Sequence, residues 1–316
     1  MVKIALNGFG RIGKLALRRL IDNDISVAFI NDKNGDPDLF AHLLEFDTVH
    51  GRWSRSISND SVSLTVDSQK IPVLHEENIV NLPLDEIDIV IDCTGFFKSE
   101  QLLAPYFNKG VQKVIVSAPV KTGSVANLVY GVNHNIYDPN MHNIVTAASC
   151  TTNCLAPIVN VVHESLGIKH GSITTIHNVT NTQTIVDRPS KDFRRSRSAL
   201  NSLIPTTTGS ATAINLIYPE LNGKLNGSAV RVPLLNASLT DAVFELNTAT
   251  TVSEVNGLFE NAAETYLKDI IGYESRALVS SDFVNDPRSC IIDGQSTMVV
   301  DGTHLKVYAW YDNEWG

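Results

Sequence analysis

Residues 3–6 are a short apolar run. Asn7-Gly8-Phe9-Gly10-Arg11-Ile12-Gly13 follows it, and Leu15, Leu17 and Leu20 then mark a helix. This is Gly-x-Gly-x-x-Gly set between a strand and a helix. The glycines allow a tight turn and let the backbone approach a pyrophosphate lying on the helix N-terminus. A second apolar run, residues 25–30, ends at Asn31-Asp32, and Asp32 stands 22 residues beyond Gly10. An acid there accepts hydrogen bonds from an adenosine ribose and repels a 2′-phosphate. A bare strand–turn–helix without a ligand is the alternative. With the second strand and the acid in place, the stretch predicts a dinucleotide site in a doubly wound parallel sheet.

The next hundred residues continue that pattern. Asp36-Pro37 reads as an N-cap with proline at the first helical position, opening a helix to about Leu44. Residues 45–55 predict a structured loop, and 62–66 with 71–74 a hairpin. Residues 87–93 are mostly apolar, broken by Asp88 and Asp92, and end in Cys93-Thr94-Gly95. That suits a largely buried parallel strand. A helix is expected from about Ser99, a strand over 113–117 closing in Ser117-Ala118, and a further strand over 127–132. Small residues at such carboxyl ends face the cofactor crevice.

The stretch Ala147-Ala148-Ser149-Cys150-Thr151-Thr152-Asn153-Cys154 follows a buried run, and Leu155, Ile158, Val159, Val162 and Leu166 then repeat at helical spacing. The chain turns from strand to helix at Ser149-Cys150. That places a thiol among free backbone N–H groups at the positive end of a helix dipole, which favours thiolate. Ser149, Thr151 and Thr152 add groups able to hold an anion. The bland alternative is a hydroxyl N-cap beside a small buried cysteine. Beyond it the pattern changes: residues 173–177, 230–232, 238–246, 296–300 and 306–310 read as strands, with helices mainly over 210–218 and 252–267. This predicts a C-terminal α+β domain with a mixed or antiparallel sheet. The domains expected are 1–149 and 150–312. Residues 178–201 are a long polar stretch of the kind that is functional or interfacial.

The formal net charge of −9 argues against a general nucleic-acid binder but leaves room for an anionic substrate. The four cysteines, at 93, 150, 154 and 290, are too few for a disulfide scaffold. Cys150 and Cys154 lie one helical turn apart like a zinc or redox pair, yet no second pair supports that, so no metal is expected. The N-terminus runs into a strand without a signal-like segment, and no span reaches transmembrane length, so cytoplasm is the expected compartment and no membrane partner is expected.

His177 ends an apolar β segment. A lone histidine there is often structural, but against Cys150 it would make an activated nucleophile with its base. Arg194, Arg195 and Arg197 are either a solvated face or an anion site. Arg231, between Val230 and Val232, lies in an expected strand, and an inward arginine needs an anionic partner. Pro205-Thr206-Thr207-Thr208-Gly209 precedes a helix and offers hydroxyls and amides for a second phosphate.

Together with His177-x-x-Thr180, Lys191-Asp192-Phe193-Arg194-Arg195, Arg231-Val232-Pro233 and Trp310-Tyr311-Asp312-Asn313-Glu314-Trp315-Gly316, these motifs resemble phosphorylating glyceraldehyde-3-phosphate dehydrogenase of the bacterial type along essentially the whole chain. The resemblance implies an N-terminal Rossmann domain, to which residues from about 313 return, and a catalytic domain. It implies NAD-dependent oxidation of glyceraldehyde 3-phosphate with inorganic phosphate, with Cys150 as nucleophile and His177 as base. Gly8, Gly10 and the Arg11 and Ile12 amides would hold pyrophosphate, Asp32 the ribose and Asn313 the carboxamide. Cys93, Thr94, Gly95, Ser117 and Ala118 would line the crevice. Thr180, Thr182 and Arg231 would take the substrate phosphate, and Ser149, Thr151, Arg195, Thr208 and Gly209 the attacking phosphate. A homotetramer is implied, with residues 178–201 as an interface loop.

Three departures from the family pattern stand out. Arg188 precedes the loop proline where many relatives are apolar, which opens NADP as a minor cofactor. Thr182 replaces a common aspartate. The sequence stops at Gly316, where relatives continue. Residues 45–53, 181–185, 236–240 and 296–300 are similar to paralogues from arsenate-resistance operons, so arsenate in place of phosphate is one alternative. Erythrose-4-phosphate oxidation is a second and a catalytically idle binding platform a third.

Overall fold

The computed structural model describes residues 2–120 and 122–316. They fall into two compact units, Met1–Leu128 with His134–Ser149, and Val129–Asn133 with Cys150–Gly316. The first unit runs β1 (Ile4–Asn7), α1 (Arg11–Asp22), β2 (Val27–Asn31), α2 (Pro37–Glu45), β3 (Phe46–Asp47), β4 (Gly51–Arg52), β5 (Ile57–Asn59), β6 (Ser63–Val66), β7 (Gln69–Leu74), β8 (Ile89–Asp92), α3 (Glu100–Asn108), β9 (Lys113–Val116), β10 (Ala126–Asn127) and β11 (Ile144–Thr146). Its main sheet has the order β10-β11-β9-β8-β1-β2-β7-β6-β5. Neighbours from β10 to β7 pair in parallel, and β7, β6 and β5 are antiparallel. β1 sits between β2 and β8, so Asn7, Asn31 and Asp92 end side by side where the strand order reverses. In open α/β sheets such a reversal is where ligands bind.

Local chemistry accounts for these elements. Asp36 caps α2, its side chain accepting from Leu39 N at 2.8 Å, with Pro37 at the first position. Ser99 caps α3 in the same way. Leu6, Leu17, Ile30, Leu44, Leu64 and Ile71 are fully buried between sheet and helices. Each such side chain stabilises the fold by roughly 1.5–3 kcal/mol. Residues 45–55 contain the small β3–β4 ribbon, tied to α1 through Asp47 and the Arg11 guanidinium. Burial pushes the Asp47 carboxyl up, but Arg11 and the His50 and Val49 amides outweigh it and hold it well below the carboxylate range.

The second unit runs α4 (Cys150–Leu166), β12 (Ile168–Asn178), β13 (Ile204–Thr207), α5 (Ser210–Ile214), β14 (Leu225–Val232), β15 (Ser238–Leu246), α6 (Val252–Glu264), β16 (Ile271–Glu274), β17 (Cys290–Asp293), β18 (Met298–Val300) and β19 (His304–Tyr311). Its mixed sheet has the order β13-β14-β12-β15-β19-β17-β16, with β18 on β19. The α/β class with a doubly wound first domain and a mixed second sheet is as the sequence predicts.

Several elements differ from the expected ones. The strand over 127–132 stops at Asn127, because Asn133 Oδ1 accepts from Val129 N at 2.7 Å and folds residues 129–133 into a turn. The helix over 210–218 ends at Ile214, with tight turns leading to Pro219. β16 and β17 carry no period-2 signal in the sequence, since all four residues of β17 are buried. Residues 313–316 group with the second unit, where Ser289 Oγ donates to the Gly316 carbonyl at 2.9 Å. Among the described residues no helix is long and apolar enough to cross a membrane.

Candidate active site

The glycine turn is built by exclusion of side chains. Gly8 has φ +93°, and a Cβ there would lie 2.5 Å from the backbone of Cys93 and Thr94. A Cβ on Gly13 would lie 2.0 Å from the Gly8 carbonyl oxygen. Gly10 differs: a Cβ there would meet only open space, so its bareness leaves room outside the chain. Gly10 is the N-cap of α1 and supplies no side-chain hydrogen bond to the first helical amides. The Arg11 guanidinium is turned to Asp47, so what Arg11 offers at the turn is its backbone. Asp32 accepts from Phe9 N at 2.7 Å and Asn34 N at 3.0 Å, which fixes its carboxylate beside the turn.

A cavity of about 450 Å³ opens here, lined among others by Gly8, Asp32 and Thr94. Asn7, Asn31, Glu76, Phe96 and Phe97 line it too and were missed in the sequence. Cys93, Gly95, Ser117 and Ala118 sit at the same strand ends without lining that cavity. Burial pushes the Cys93 thiol up to about 12, so it is inert. Thr94 donates both its amide, at 3.0 Å, and its hydroxyl, at 2.7 Å, to Asp92 Oδ1.

In the second unit, Cys150 opens α4 after a turn in which Ala148 takes φ +54°. Left-handed backbone costs a non-glycine residue about 1–2 kcal/mol. Cys150 Sγ lies 3.4 Å from His177 Nε2. His177 is the last residue but one of β12 and pairs in register with Arg231 on β14, which puts both side chains on one face. Arg231 Nη1 is 2.7 Å from His177 Nδ1 and donates to the Asn178 carbonyl at 3.0 Å, the same carbonyl that lies 2.8 Å from Nδ1. Tyr311, named in the sequence only as part of a motif, closes the site from β19. Its hydroxyl meets Thr151 Oγ1 at 2.9 Å and Thr175 Oγ1 at 2.7 Å, and its ring stands edge-on to His177 at 6.0 Å.

The expected acidic thiol is corrected. Burial pushes the Cys150 thiol up, against the Thr151 hydroxyl and amide and the Arg231 charge, which pull it down. Burial, and then Arg231, lower His177 to about 4, so at neutral pH it is an uncharged imidazole able to exchange protons. Arg231 is itself pushed down by burial. Its Nε has no hydrogen-bond partner, and no carboxylate of the described residues forms an ion pair with it.

The expected anion-binding residues separate into groups. Thr180 Oγ1 and Thr182 Oγ1 are 3.0 Å apart. Arg195 reaches Thr182 at 3.5 Å and donates twice to Thr206 Oγ1, at 3.1 and 2.8 Å. Thr206, from the threonine run before α5, and Gln183, which accepts from Thr180 N at 2.9 Å, join this cluster. Thr208 instead turns to Ser210 Oγ at 3.1 Å, beside Gly209 at the cap of α5. The Thr151 hydroxyl is given to Tyr311, and Ser149 is partly exposed just before α4. Asn313 Oδ1 is buried without a hydrogen-bond partner, an acceptor suited to an incoming N–H. Among the described residues no group of three or more His, Cys, Asp or Glu could hold a metal.

A dinucleotide turn at a strand-order reversal in the first unit, and in the second a thiol–imidazole pair beside a guanidinium with no carboxylate partner among the described residues, are the features of a dinucleotide-dependent enzyme. The family model described as the NAD binding domain of glyceraldehyde 3-phosphate dehydrogenase matches residues 2–100, and that of its C-terminal domain matches 149–313. The chain is 56% identical to glyceraldehyde-3-phosphate dehydrogenase 3 of Nostoc sp. and 48% identical to glyceraldehyde-3-phosphate dehydrogenase of Geobacillus stearothermophilus. Each comparison covers 100% of this chain and 94% of the relative. The chain belongs to the glyceraldehyde-3-phosphate dehydrogenase family. The names of these relatives lend no support to the arsenate alternative.

Proposed function

We propose that the chain catalyses the NAD-dependent oxidative phosphorylation of D-glyceraldehyde 3-phosphate to 1,3-bisphosphoglycerate through a thioester on Cys150. The observation that carries this is the 3.4 Å contact of Cys150 Sγ with His177 Nε2, beside a half-buried guanidinium that lacks a carboxylate. The imidazole takes up the Cys150 thiol proton as sulfur adds to the aldehyde carbon, and gives a proton to the new oxygen. His177 then removes that hydroxyl proton as the carbon is oxidised. Bound NAD supplies the hydride acceptor. In the first unit the Gly8, Gly10, Arg11 and Ile12 backbone suits pyrophosphate and Asp32 the ribose; in the second, the orphaned Asn313 Oδ1 is an acceptor suited to an amide N–H. Inorganic phosphate opens the thioester, and splitting the reaction into two covalent steps lowers each barrier.

Arg231 with Thr180 takes the substrate phosphate, whose charge supplies the pairing that a half-buried guanidinium favours. Arg195, with Thr182, Thr206, Thr208 and Gly209, takes inorganic phosphate. Asp32 keeps NAD as the cofactor, with the exposed Arg188 allowing NADP a minor share. The chain works as a cytoplasmic homotetramer. Ile185, Val186, Phe193 and Leu200 in the 178–201 segment are 65–88% exposed, an apolar surface suited to further copies, and all four cysteines are unpaired thiols. The test is NADH formation from glyceraldehyde 3-phosphate and NAD with phosphate, with arsenate and with neither. Turnover that needs phosphate supports the reading. Equal turnover without either oxyanion would mean hydrolysis, and no turnover would leave the binding platform.

A further inference from the structure

The contact between Arg231 Nη1 and His177 Nδ1, at 2.7 Å, has a consequence for the proton on the ring. A guanidinium only donates, so Nδ1 receives that contact with its lone pair. The neutral imidazole then carries its proton on Nε2, 3.4 Å from Cys150 Sγ. In that form His177 is a donor to sulfur and has no lone pair at Nε2 with which to act as a base. The opposite tautomer, with Nδ1–H donating to the Asn178 carbonyl at 2.8 Å, bares Nε2 for the reaction. Arg231 competes for both partners of that form, since it also donates to the Asn178 carbonyl at 3.0 Å. Other groups around the ring are Cys150 from α4 and Tyr311 from β19, neither of which approaches Nδ1. Arg195 acts on Arg231 only through its charge.

We propose that Arg231 is a tautomer switch on His177, thrown by the phosphate group of the substrate, an inference that rests on the function proposed above. While the guanidinium lies on Nδ1, His177 donates to Cys150 and holds sulfur ready. A phosphate monoester draws the guanidinium away, and Nδ1 takes, through water, the proton that the Cys150 thiol gives up. As sulfur bonds to the aldehyde carbon, the carbonyl π pair moves to oxygen and that oxygen takes the Nε2 proton. His177 is left with Nδ1–H on the Asn178 carbonyl and a bare Nε2 facing the new hydroxyl, poised to remove its proton in the hydride step. The base is thus assembled only when a phosphorylated aldehyde is present, and the remote phosphate contributes to the chemical step as well as to binding.

The test separates the phosphate from the aldehyde. The burst of NADH is measured on the full-length enzyme without inorganic phosphate, using glyceraldehyde 3-phosphate, then D-glyceraldehyde alone, then D-glyceraldehyde with methyl phosphate. Methyl phosphate is held at concentrations that compete with glyceraldehyde 3-phosphate. General-base catalysis is worth roughly 10²–10⁴-fold, so methyl phosphate should speed the D-glyceraldehyde burst by about 10²-fold or more. The gain should vanish in Arg231→Ala, whereas an arginine that only binds the substrate would give no gain in the wild type. As a measurement independent of that variant's folding, ¹⁵N spectra of labelled histidine should show His177 Nδ1 unprotonated in the enzyme alone and protonated with glycerol 3-phosphate. A D-glyceraldehyde burst unmoved by methyl phosphate, or a ring already protonated at Nδ1, overturns the switch. Failure of glyceraldehyde 3-phosphate itself to give a burst overturns the proposed function instead.

Discussion

Replacing Tyr106 by phenylalanine would remove a single oxygen from a buried polar chain that sets the floor of the dinucleotide cavity. Asn31 Nδ2 donates to Asn7 Oδ1 at 2.7 Å, Asn7 Nδ2 to Tyr106 Oη at 2.5 Å, and Tyr106 Oη to Asp92 Oδ2 at 2.8 Å. All four residues are at most 3% exposed, so water does not replace a lost partner. Losing a hydrogen bond to an ionised acceptor costs about 1.5–3 kcal/mol, and an orphaned buried donor about 1–3 kcal/mol. The two losses share one site and relax together, so Tyr106→Phe should destabilise the first unit by about 3 kcal/mol near neutral pH.

The deficit should depend on pH, because burial already raises the Asp92 carboxyl despite the Thr94 and Tyr106 hydrogen bonds that lower it. A carboxyl with a folded pKa above its unfolded value of about 3.9 favours the fold when protonated, and that stability is lost as pH rises from there through the folded value. The variant raises the folded pKa further, so its deficit should be smallest below about pH 4 and grow towards neutrality. Urea unfolding of both proteins across this range measures it. KM for NAD should rise as Asn7 and Asn31 loosen, with KM for the aldehyde unchanged. A deficit equal at all pH values, or below about 0.5 kcal/mol at neutrality, would refute this account of the chain.

Other outcomes follow from the same geometry. Gly13→Ala forces the turn open against the Gly8 carbonyl, costs about 1–3 kcal/mol of stability as an overpacked site, and weakens NAD binding measured by calorimetry. His177→Asn slows the NADH burst by about 10²–10⁴-fold with NAD affinity unchanged, and a loss confined to NAD affinity would contradict the role given to His177. Iodoacetamide should label Cys150 alone in peptide mass analysis, because Cys150 is partly exposed and has His177 at 3.4 Å to take its proton, whereas Cys154 and Cys290 are 0% exposed and burial holds Cys93 protonated. Fast labelling of any other thiol would argue against the assigned nucleophile.

Much of this was legible in the chain because the decisive features are local. The glycine turn, the Asp36 cap and the strand-to-helix change at Cys150 need only a few adjacent residues to declare themselves. His177 and Arg231 were visible as candidates, but their meeting depends on the register of β12 and β14, 54 residues apart. Tyr311, Thr206 and Gln183 act through contacts made only after the sheet and the 178–201 segment are in place. The acidity of Cys150 was misread for a related reason. Helix position is a property of the sequence, whereas burial, which dominates here, is a property of the packed molecule. β17 escaped notice because a strand buried on both faces has no alternation to read.

The covalent role of Cys150 is the centre of the account, and the mass of the enzyme tests it. The protein is mixed with NAD and glyceraldehyde 3-phosphate in phosphate-free buffer and its intact mass is taken, followed by peptide mapping. The account predicts one phosphoglyceroyl group per chain, on Cys150, that disappears when inorganic phosphate is added and leaves as an acyl phosphate. NADH formation with no adduct on the chain, or an adduct on another residue, would contradict it.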